Sequence, residues 1–578
     1  MTIVAVRRRR LVLPIVAVLA LAALVAPVGA QPSAPPITAQ HGMVACDHEL
    51  ASEVGARILQ QGGNAVDAAV ATALALAVVH PSAGNLGGGG FLVYCDGHGA
   101  ATTYDFRETA PAAATERMFL DERGAVRDSS NHRGLLAVGT PGTVAGLWLA
   151  HQRHGRLPWA VLVQPAIDLA VGGFPFSSGM SDWCDRLAKT TDPLRAATRA
   201  AFLDGGTRPY FPGDTLRQPD LAAALTRIRD HGRDGFYTGE TARLLVAFMR
   251  ENGGLITEAD LAAYRAAERE PVRGTYRGYG VIGMGLPSAG GTALIEMLNM
   301  LEGEDVAKLQ PGTAPYLHLL SEVMRRAYAD RAQYLGDPAF TDTIPLDRLL
   351  SKAHAAKLRA TIDPLRATPS DVALFGAAFL PPEGEQTTHL SVVDADGGAV
   401  SLTYTLEATF GSGLVAPGTG FLLNNEMGDF NAVPGLTDRR GTIGTAPNLV
   451  APGKRMLSSM APVILTRSGA PVLVVGSPGG RTIINTVLQV VLNVIDHGMD
   501  IRAAVDAPRI HHQWLPDETQ YEPSGFAPEE RRQLEAMGHV LRRRLVQGCA
   551  MGIVVDPATG LRSGAADSRS VEGGVAGY

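Results

Sequence analysis

The clearest apolar pattern in the chain runs from Cys46 to Pro81, CDHELASEVGARILQQGGNAVDAAVATALALAVVHP, and reads as two helices. Gly62-Gly63 ends the first, Asn64 caps the second, and His80-Pro81 stops it. The second helix is small and apolar on nearly every face, which predicts burial on all sides. GNLGGGGFLVYCDG then leads into a strand. DLAAALTRIRDHG, ETARLLVAFMRENGG and TALIEMLNMLEG carry helical periodicity that ends at glycine. From Asp363 to Glu385 the periodicity fades into TPSD, Pro381-Pro382 and Glu-Gly-Glu, the composition of a mobile surface segment. Strand signals dominate afterwards. THLSVVDADGGAVSLTYTL places an Asp-Gly turn between two alternating runs, the chemistry of a hairpin. APVLVVGSPGG is a further strand ending in a turn, and RTIINTVLQVVLNVIDHG a long apolar helix directly after it. The pattern predicts an α/β protein without internal repeats.

At 578 residues the chain exceeds one ordinary core, so two large lobes or one large layered fold are expected. Its 46% hydrophobic and 19% charged content is that of a folded protein rather than a disordered one. A net charge of -6, with no basic patch interleaved with aromatics, argues against nucleic acid and for a small-molecule partner. The first 30 residues differ from the rest. Arg7 to Arg10 precede the apolar run LVLPIVAVLALAALVA, and Val28-Gly29-Ala30 offers a cleavage site, so 1–30 reads as a signal peptide of an exported protein. The run, with Pro14 inside, falls short of the ~20 residues that span a bilayer. A Pro-, Ala- and Ser-rich tether follows. Export permits disulfides among Cys46, Cys95, Cys184 and Cys549. Cys46 and Cys95 each end a short apolar stretch, so neighbouring strands joined by a disulfide are one expectation.

Several hydrolase devices are absent. No serine sits in G-x-S-x-G, and H-E-x-x-H does not occur. His511-His512 are adjacent and do not face one site, which makes them structural. Gly87 to Gly90 lack a following Lys-Ser/Thr and enter a strand, so close backbone packing explains them better than phosphate binding. SPGG, Ser477 to Gly480, lies between a strand and a helix, where backbone N–H groups can bind an anion or stabilise an oxyanion. NNEMGDF supplies Glu426 and Asp429, KRMLSSM supplies Ser458 and Ser459, and YDFRETAP supplies Arg107. Together they suit a ligand carrying both an ammonium and a carboxylate. EGEQTTHLSVVD, residues 383–394, raises a separate question, because edge-strand preference for β-branched residues alone accounts for its two threonines.

GMVA, GGNAVDAAVA, HPSAGNLGGGGF, DFRETAP, QTTHLSVVD, TYTLEATFGSG, FLLNNEMGDF, KRMLSSMAP, GSPGGRTI, APRIHHQW and DSRSVEGGVAGY, in this order, resemble the γ-glutamyltranspeptidase (glutathione hydrolase) family from about residue 41 to the end. The resemblance implies an N-terminal-nucleophile hydrolase fold, a four-layer αββα sandwich of α/β (α+β) class. It implies a precursor cut between Gln386 and Thr387 into a large subunit, 31–386, and a small subunit, 387–578, held together as a heterodimer. Thr387 is then the nucleophile, Thr405 its hydrogen-bond partner, and Gly479 and Gly480 the oxyanion donors. Arg107, Ser458 and Ser459 would hold the α-carboxylate of the glutamyl group, with Glu407, Glu426 and Asp429 around its α-ammonium. Donors would be glutathione and other γ-glutamyl compounds, and acceptors water, amino acids or dipeptides. No cofactor or metal is called for, and the exported enzyme would be periplasmic or secreted.

The chemistry stands beside the resemblance. A threonine hydroxyl needs a nearby base, and an α-amino group with a reference pKa of ~7.7 to 8.0 is one. A cut before Thr387 creates both in one residue. Three positions depart from the common pattern: Glu407 stands where many relatives have asparagine, Glu426 where bacterial relatives often have glutamine, and Arg440, in the lid-like segment VPGLTDRRGTIGTAPN, where many have an aromatic. Two alternatives remain. A glutaryl (cephalosporin) acylase on the same scaffold is disfavoured by carboxylates placed for an ammonium. An exported binding protein that captures γ-glutamyl peptides without cleaving them is disfavoured by the intact Thr387, Thr405 and glycine pair.

Overall fold

Two antiparallel seven-stranded sheets stack face to face between two helical layers in the computed structural model, which describes residues 34–370 and 387–578. The candidate signal peptide, Gln386 and most of the segment from Asp363 to Glu385 lie outside the described residues. Residues from Pro36 to Tyr578 make one compact unit, so the layered fold holds and not two lobes.

The first sheet has the order Gly574–Gly577, Met43–Cys46, Thr388–Val393, Ala399–Thr405, Gly89–Cys95, Ala101–Phe106, Ala267–Arg269. The second has the order Ile37–Ala39, Arg562–Ala566, Met551–Val555, Ala470–Gly476, Val463–Arg467, Tyr279–Gly283, Val272–Tyr276. Each sheet contains strands from both sides of residue 386. The hairpin predicted from THLSVVDADGGAVSLTYTL is central to the first, with Val393 opposite Ala399 and Thr388 opposite Tyr404.

Period-two alternation decides what each face of that hairpin touches. Leu390, Val392, Val400, Leu402 and Tyr404 point into the helical layer formed by Glu49–Gln60, Ala65–Val79 and their neighbours. The opposite face meets the second sheet through hydroxyls: Ser391 donates to the carbonyls of Val474 (3.3 Å) and Met551 (3.1 Å), and Ser401 to Val475 (3.1 Å). The sheets are therefore fastened by hydrogen bonds as well as apolar contact, each buried hydroxyl finding an acceptor.

Ala65–Val79 is buried at all fifteen positions, as its composition predicts, and the side chain of Asn64 caps it by accepting from the N–H groups of Val66 and Asp67. The other predicted helices form as Pro219–His231, Gly239–Glu251, Gly290–Leu301 and Thr482–Ile495. The cysteine expectation fails. Met43–Cys46 and Gly89–Cys95 share a sheet, but the 388–405 hairpin lies between them. Three strand spacings are about 14 Å, twice what a disulfide can bridge. All four thiols are free.

Candidate active site

Thr387 immediately precedes a central strand whose start is pinned by Asp47. The Asp47 carboxylate accepts from Thr388 Oγ1 at 2.8 Å, from His389 N–H at 3.1 Å and from Ser570 Oγ at 3.2 Å. Burial pushes the Asp47 carboxyl above its ordinary range, opposed by nearby His80 and these donors. Thr387 is 5% exposed, and its Oγ1 donates to Thr405 Oγ1 at 3.5 Å. Thr405 ends the partner strand, so the hairpin register itself sets the two hydroxyls side by side. Glu407 N–H donates to Thr405 Oγ1 at 2.9 Å, and Asn85 Nδ2 donates to the Thr405 carbonyl at 2.9 Å. Close packing accounts for the GGGG run: a Cβ on Gly88 would lie 2.0 Å from the Thr405 carbonyl oxygen.

All ten residues expected to form the catalytic and substrate-binding set line one small cavity except Gly479, which lines its neighbour. Gln386 is undescribed. Met460 and Ile483 add apolar wall. Arg107, at the end of strand Ala101–Phe106, is wholly buried. Its Nη1 pairs with Glu426, its Nη2 with Asp429, and its Nε donates to the Met456 carbonyl at 3.3 Å. Arginine and acids therefore touch directly rather than occupying opposite ends of the cavity. Glu108 Oε2 lies 3.8 Å from the same guanidinium.

Two buried carboxyl groups, Glu108 and Glu426, and the partly buried Asp429 thus share one guanidinium. Burial pushes Glu426 well above the usual carboxylate range, against the pull of Arg107 and with Glu108 and Asp429 adding to the rise. Glu108 is pushed up to about 8 for the same reason. Glu426 Oε2 and both Glu108 carboxyl oxygens have no hydrogen-bond partner among the described residues. Glu407 stands apart at a positive φ of 82°, its carboxylate held by Asn425 Nδ2 and by His132 Nδ1 at 3.2 Å. Ser459 Oγ accepts from Arg331 Nη2 at 2.8 Å, and Ser458 Oγ from Met460 N–H at 3.1 Å.

Strand Ala470–Gly476 leads through Ser477-Pro478-Gly479-Gly480 into helix Thr482–Ile495. Gly479 and Gly480 have φ of 133° and 57°, conformations that favour glycine. The helix adds the positive end of its dipole to this turn. His511 and His512 are buried and occupied elsewhere: His511 Nδ1 bonds Asn485 Nδ2 at 2.7 Å, and His512 Nε2 bonds Asp517 at 3.3 Å.

Sequence reasoning missed Asn85, His132, Asn425 and Arg331, each of which orients a residue it had found. Glu108 was in view beside Arg107 in DFRETAP but was not singled out. Among the described residues, two groups outside the cavity combine residue types that ligate metals, His318–Glu322–His539 and Glu296–Asp330–His354. Glu322 is taken by Arg325 and Arg326, and His354 by Asp330.

Comparisons with known proteins agree with this geometry. The family model described as Gamma-glutamyltranspeptidase matches residues 51–578. Over 543 residues the chain is 47% identical to the glutathione hydrolase proenzyme of Escherichia coli (strain K12), covering 94% of this chain and 93% of that protein. It is 39% identical over 554 residues to the acylase ACY 1 proenzyme of Pseudomonas sp. (strain SE83), covering 94% and 95%. The cephalosporin acylase from Bacillus halodurans superposes with a TM-score of 0.83 at 29% identity, covering 96% of this chain and 99% of that one. The four-layer sandwich is the N-terminal-nucleophile hydrolase fold expected from the sequence. With the match spanning nearly the whole chain, the protein belongs to the γ-glutamyltranspeptidase family.

Proposed function

We propose that the protein is a self-processing γ-glutamyltransferase and glutathione hydrolase. The observation that carries this reading is the cavity itself, where the Thr387 hydroxyl faces a buried cluster with more carboxyl groups than guanidinium groups. Such a cluster is completed by a ligand bringing an ammonium, and Glu426 Oε2 is an acceptor waiting for one.

Cleavage of the Gln386–Thr387 bond frees an α-amino group that takes the Thr387 hydroxyl proton, directly or through a water. Thr387 Oγ1 then attacks the γ-carbonyl of the donor. The N–H groups of Gly479 and Gly480 stabilise the oxyanion, and Thr405 holds Oγ1 in line. The C–N bond breaks, the departing amine takes the proton, and the acyl-enzyme is released by water or by the amine of an amino acid or dipeptide. Arg107, Ser458 and Ser459 hold the α-carboxylate of the glutamyl group, and Glu407, Glu426 and Asp429 its α-ammonium. Because each sheet is built of strands from both sides of residue 386, a cut there leaves subunits 31–386 and 387–578 bound as a heterodimer. Residues 1–30 direct export to the periplasm or the medium; no described helix is long and apolar enough to cross a membrane.

Similarity to two acylases favours a second reading, a glutaryl acylase. A glutaryl group has no ammonium, so it brings no donor to Glu426 Oε2. Purified protein run on a denaturing gel should give two bands, the smaller beginning Thr-Thr-His on N-terminal sequencing. It should turn over a γ-glutamyl anilide in preference to a glutaryl anilide. The opposite preference refutes the substrate assignment, and a single inactive chain refutes the enzyme.

A further inference from the structure

The bond between His354 and Asp330 brings a third group with it. Glu296 lies on helix Gly290–Leu301, Asp330 on helix Ala314–Tyr334 and His354 on helix Lys352–Arg359, all in the helical layer behind the second sheet. None of the three lines the cavity around Thr387. His354 Nε2 sits 2.8 Å from Asp330 Oδ2 and 3.5 Å from Glu296 Oε1, and one ligand atom from each residue lies within 4.8 Å of the others. Glu296 is 1% exposed, and its Oε1 has no hydrogen-bond partner among the described residues. A buried carboxyl oxygen without a donor is costly, and this one faces the imidazole and the second acid. The cluster is braced from outside. Ser351 Oγ accepts from His354 N–H at 3.1 Å and fixes the first turn of its helix, while Asn299 Nδ2 donates to the Leu350 carbonyl at 3.0 Å from the helix that carries Glu296. Arg348 adds a positive charge nearby, but it is exposed and its guanidinium stacks over the Tyr334 ring, 4.6 Å from the centroid.

We propose that Glu296, Asp330 and His354 bind one divalent transition-metal cation of the zinc type, which ties helix Lys352–Arg359 to the two helices it packs beside. The inference is independent of the γ-glutamyl reading. An imidazole with two carboxylates suits zinc better than calcium, which prefers a shell of oxygens. Ligand atoms about 2.1 Å from a tetrahedral ion stand about 3.4 Å from one another. The Nε2–Oε1 separation already matches that spacing, and the Nε2–Oδ2 bond opens by about 0.6 Å as the cation takes its place. The Asp330 and His354 side chains are each 15% exposed, so the ion has a path from solvent and a water can serve as its fourth ligand. The other cluster, His318–Glu322–His539, does not qualify. Arg325 and Arg326 reach the Glu322 carboxylate at 3.2 and 2.7 Å, so a cation there would meet two guanidinium groups. Position gives the proposed site its use. Helix Lys352–Arg359 is the last described helix before Thr387, and the cation fastens the chain where it departs towards the cleavage point.

The test strips the purified protein with a chelator, titrates it with Zn2+ by calorimetry and reads the melting temperature by circular dichroism. One Zn2+ should bind per molecule, and at about a hundredfold excess over Kd the melting temperature should rise by about 2 °C. Ca2+ should give no such rise. Glu296→Gln keeps the shape of the buried side chain, and His354→Gln alters a largely buried one that still reaches solvent. Each should weaken Zn2+ binding at least about tenfold and remove the thermal shift, with a cooperative melt in the absence of zinc showing that the variant folds. Three results overturn the proposal: no Zn2+ binding by the wild type, binding that both variants retain, which would place the ion on other histidines, or an equal rise with Ca2+.

Discussion

The two cavities on either side of the Gly479-Gly480 turn differ in composition and in exposure. The inner one buries Arg107 completely and surrounds it with Glu108, Glu426 and Asp429. The outer one presents arginines, among them the exposed Arg440, Arg542 and Arg543. Burial makes the inner charges expensive to leave unpaired, so they are fixed by one another before any ligand arrives. The outer charges are solvated and screened. A charge of either sign therefore does more per residue on the inner side of the turn.

The largest effect expected is that of Thr387→Ala, which removes the nucleophile at the floor of the inner cavity. It should leave one uncut chain with no measurable turnover, and residual activity would place the nucleophile elsewhere. Next comes Asp429→Asn, which removes one acidic partner of the buried Arg107. Breaking such a pair costs about 3–5 kcal/mol, so kcat/KM for a γ-glutamyl anilide should fall at least about a hundredfold. Glutaryl anilide turnover should fall far less, and an equal loss for both would mean that the carboxylates do not read the ammonium.

The smallest effect concerns neither cavity but the sheet interface that supports both. His389 lies between the sheets, bonded to Thr403 Oγ1 at 2.8 Å and Ser391 Oγ at 3.1 Å, and burial holds its imidazole down to about 3. His511 and His512 are likewise held down by burial, to about 3 and about 4. Their folded pKa values lie below the unfolded value of ~6.5, so the unfolded chain binds protons first. Stability is complete above pH ~6.5 and declines as pH falls towards ~4, by up to ~1.4 kcal/mol per pH unit for each histidine. In the uncut Thr387→Ala chain, melting temperature should fall over that range, and adding His389→Gln should flatten the decline by one proton's share. An identical slope with and without His389 would show that its imidazole is not held neutral.

Much of the inner cavity was legible because its residues sit in short strings whose chemistry is local. DFRETAP, NNEMGDF, KRMLSSM and SPGG each announce a charge, a hydroxyl pair or a glycine turn, and the family resemblance orders them. His132 and Asn85 were not legible, because each is an ordinary polar residue in its own segment and acts only through a partner hundreds of residues away. Cys46 and Cys95 misled for a related reason. Each ends a short apolar stretch, which suggested neighbouring strands, but a hairpin from 388–405 occupies the space between them.

Local patterning alone settled the helices and the hairpin, since period and turn chemistry are properties of neighbouring residues. It also settled that a strand follows directly on Thr387. Only the tertiary structure decided that the strand is central, that Thr405 faces Thr387 across one register step, and that Arg107 meets Glu426 and Asp429 directly. The gathering of Arg440, Arg481 and Arg543 into one wall was decided there too. Charge and burial act through space, and the sequence orders residues only along the chain.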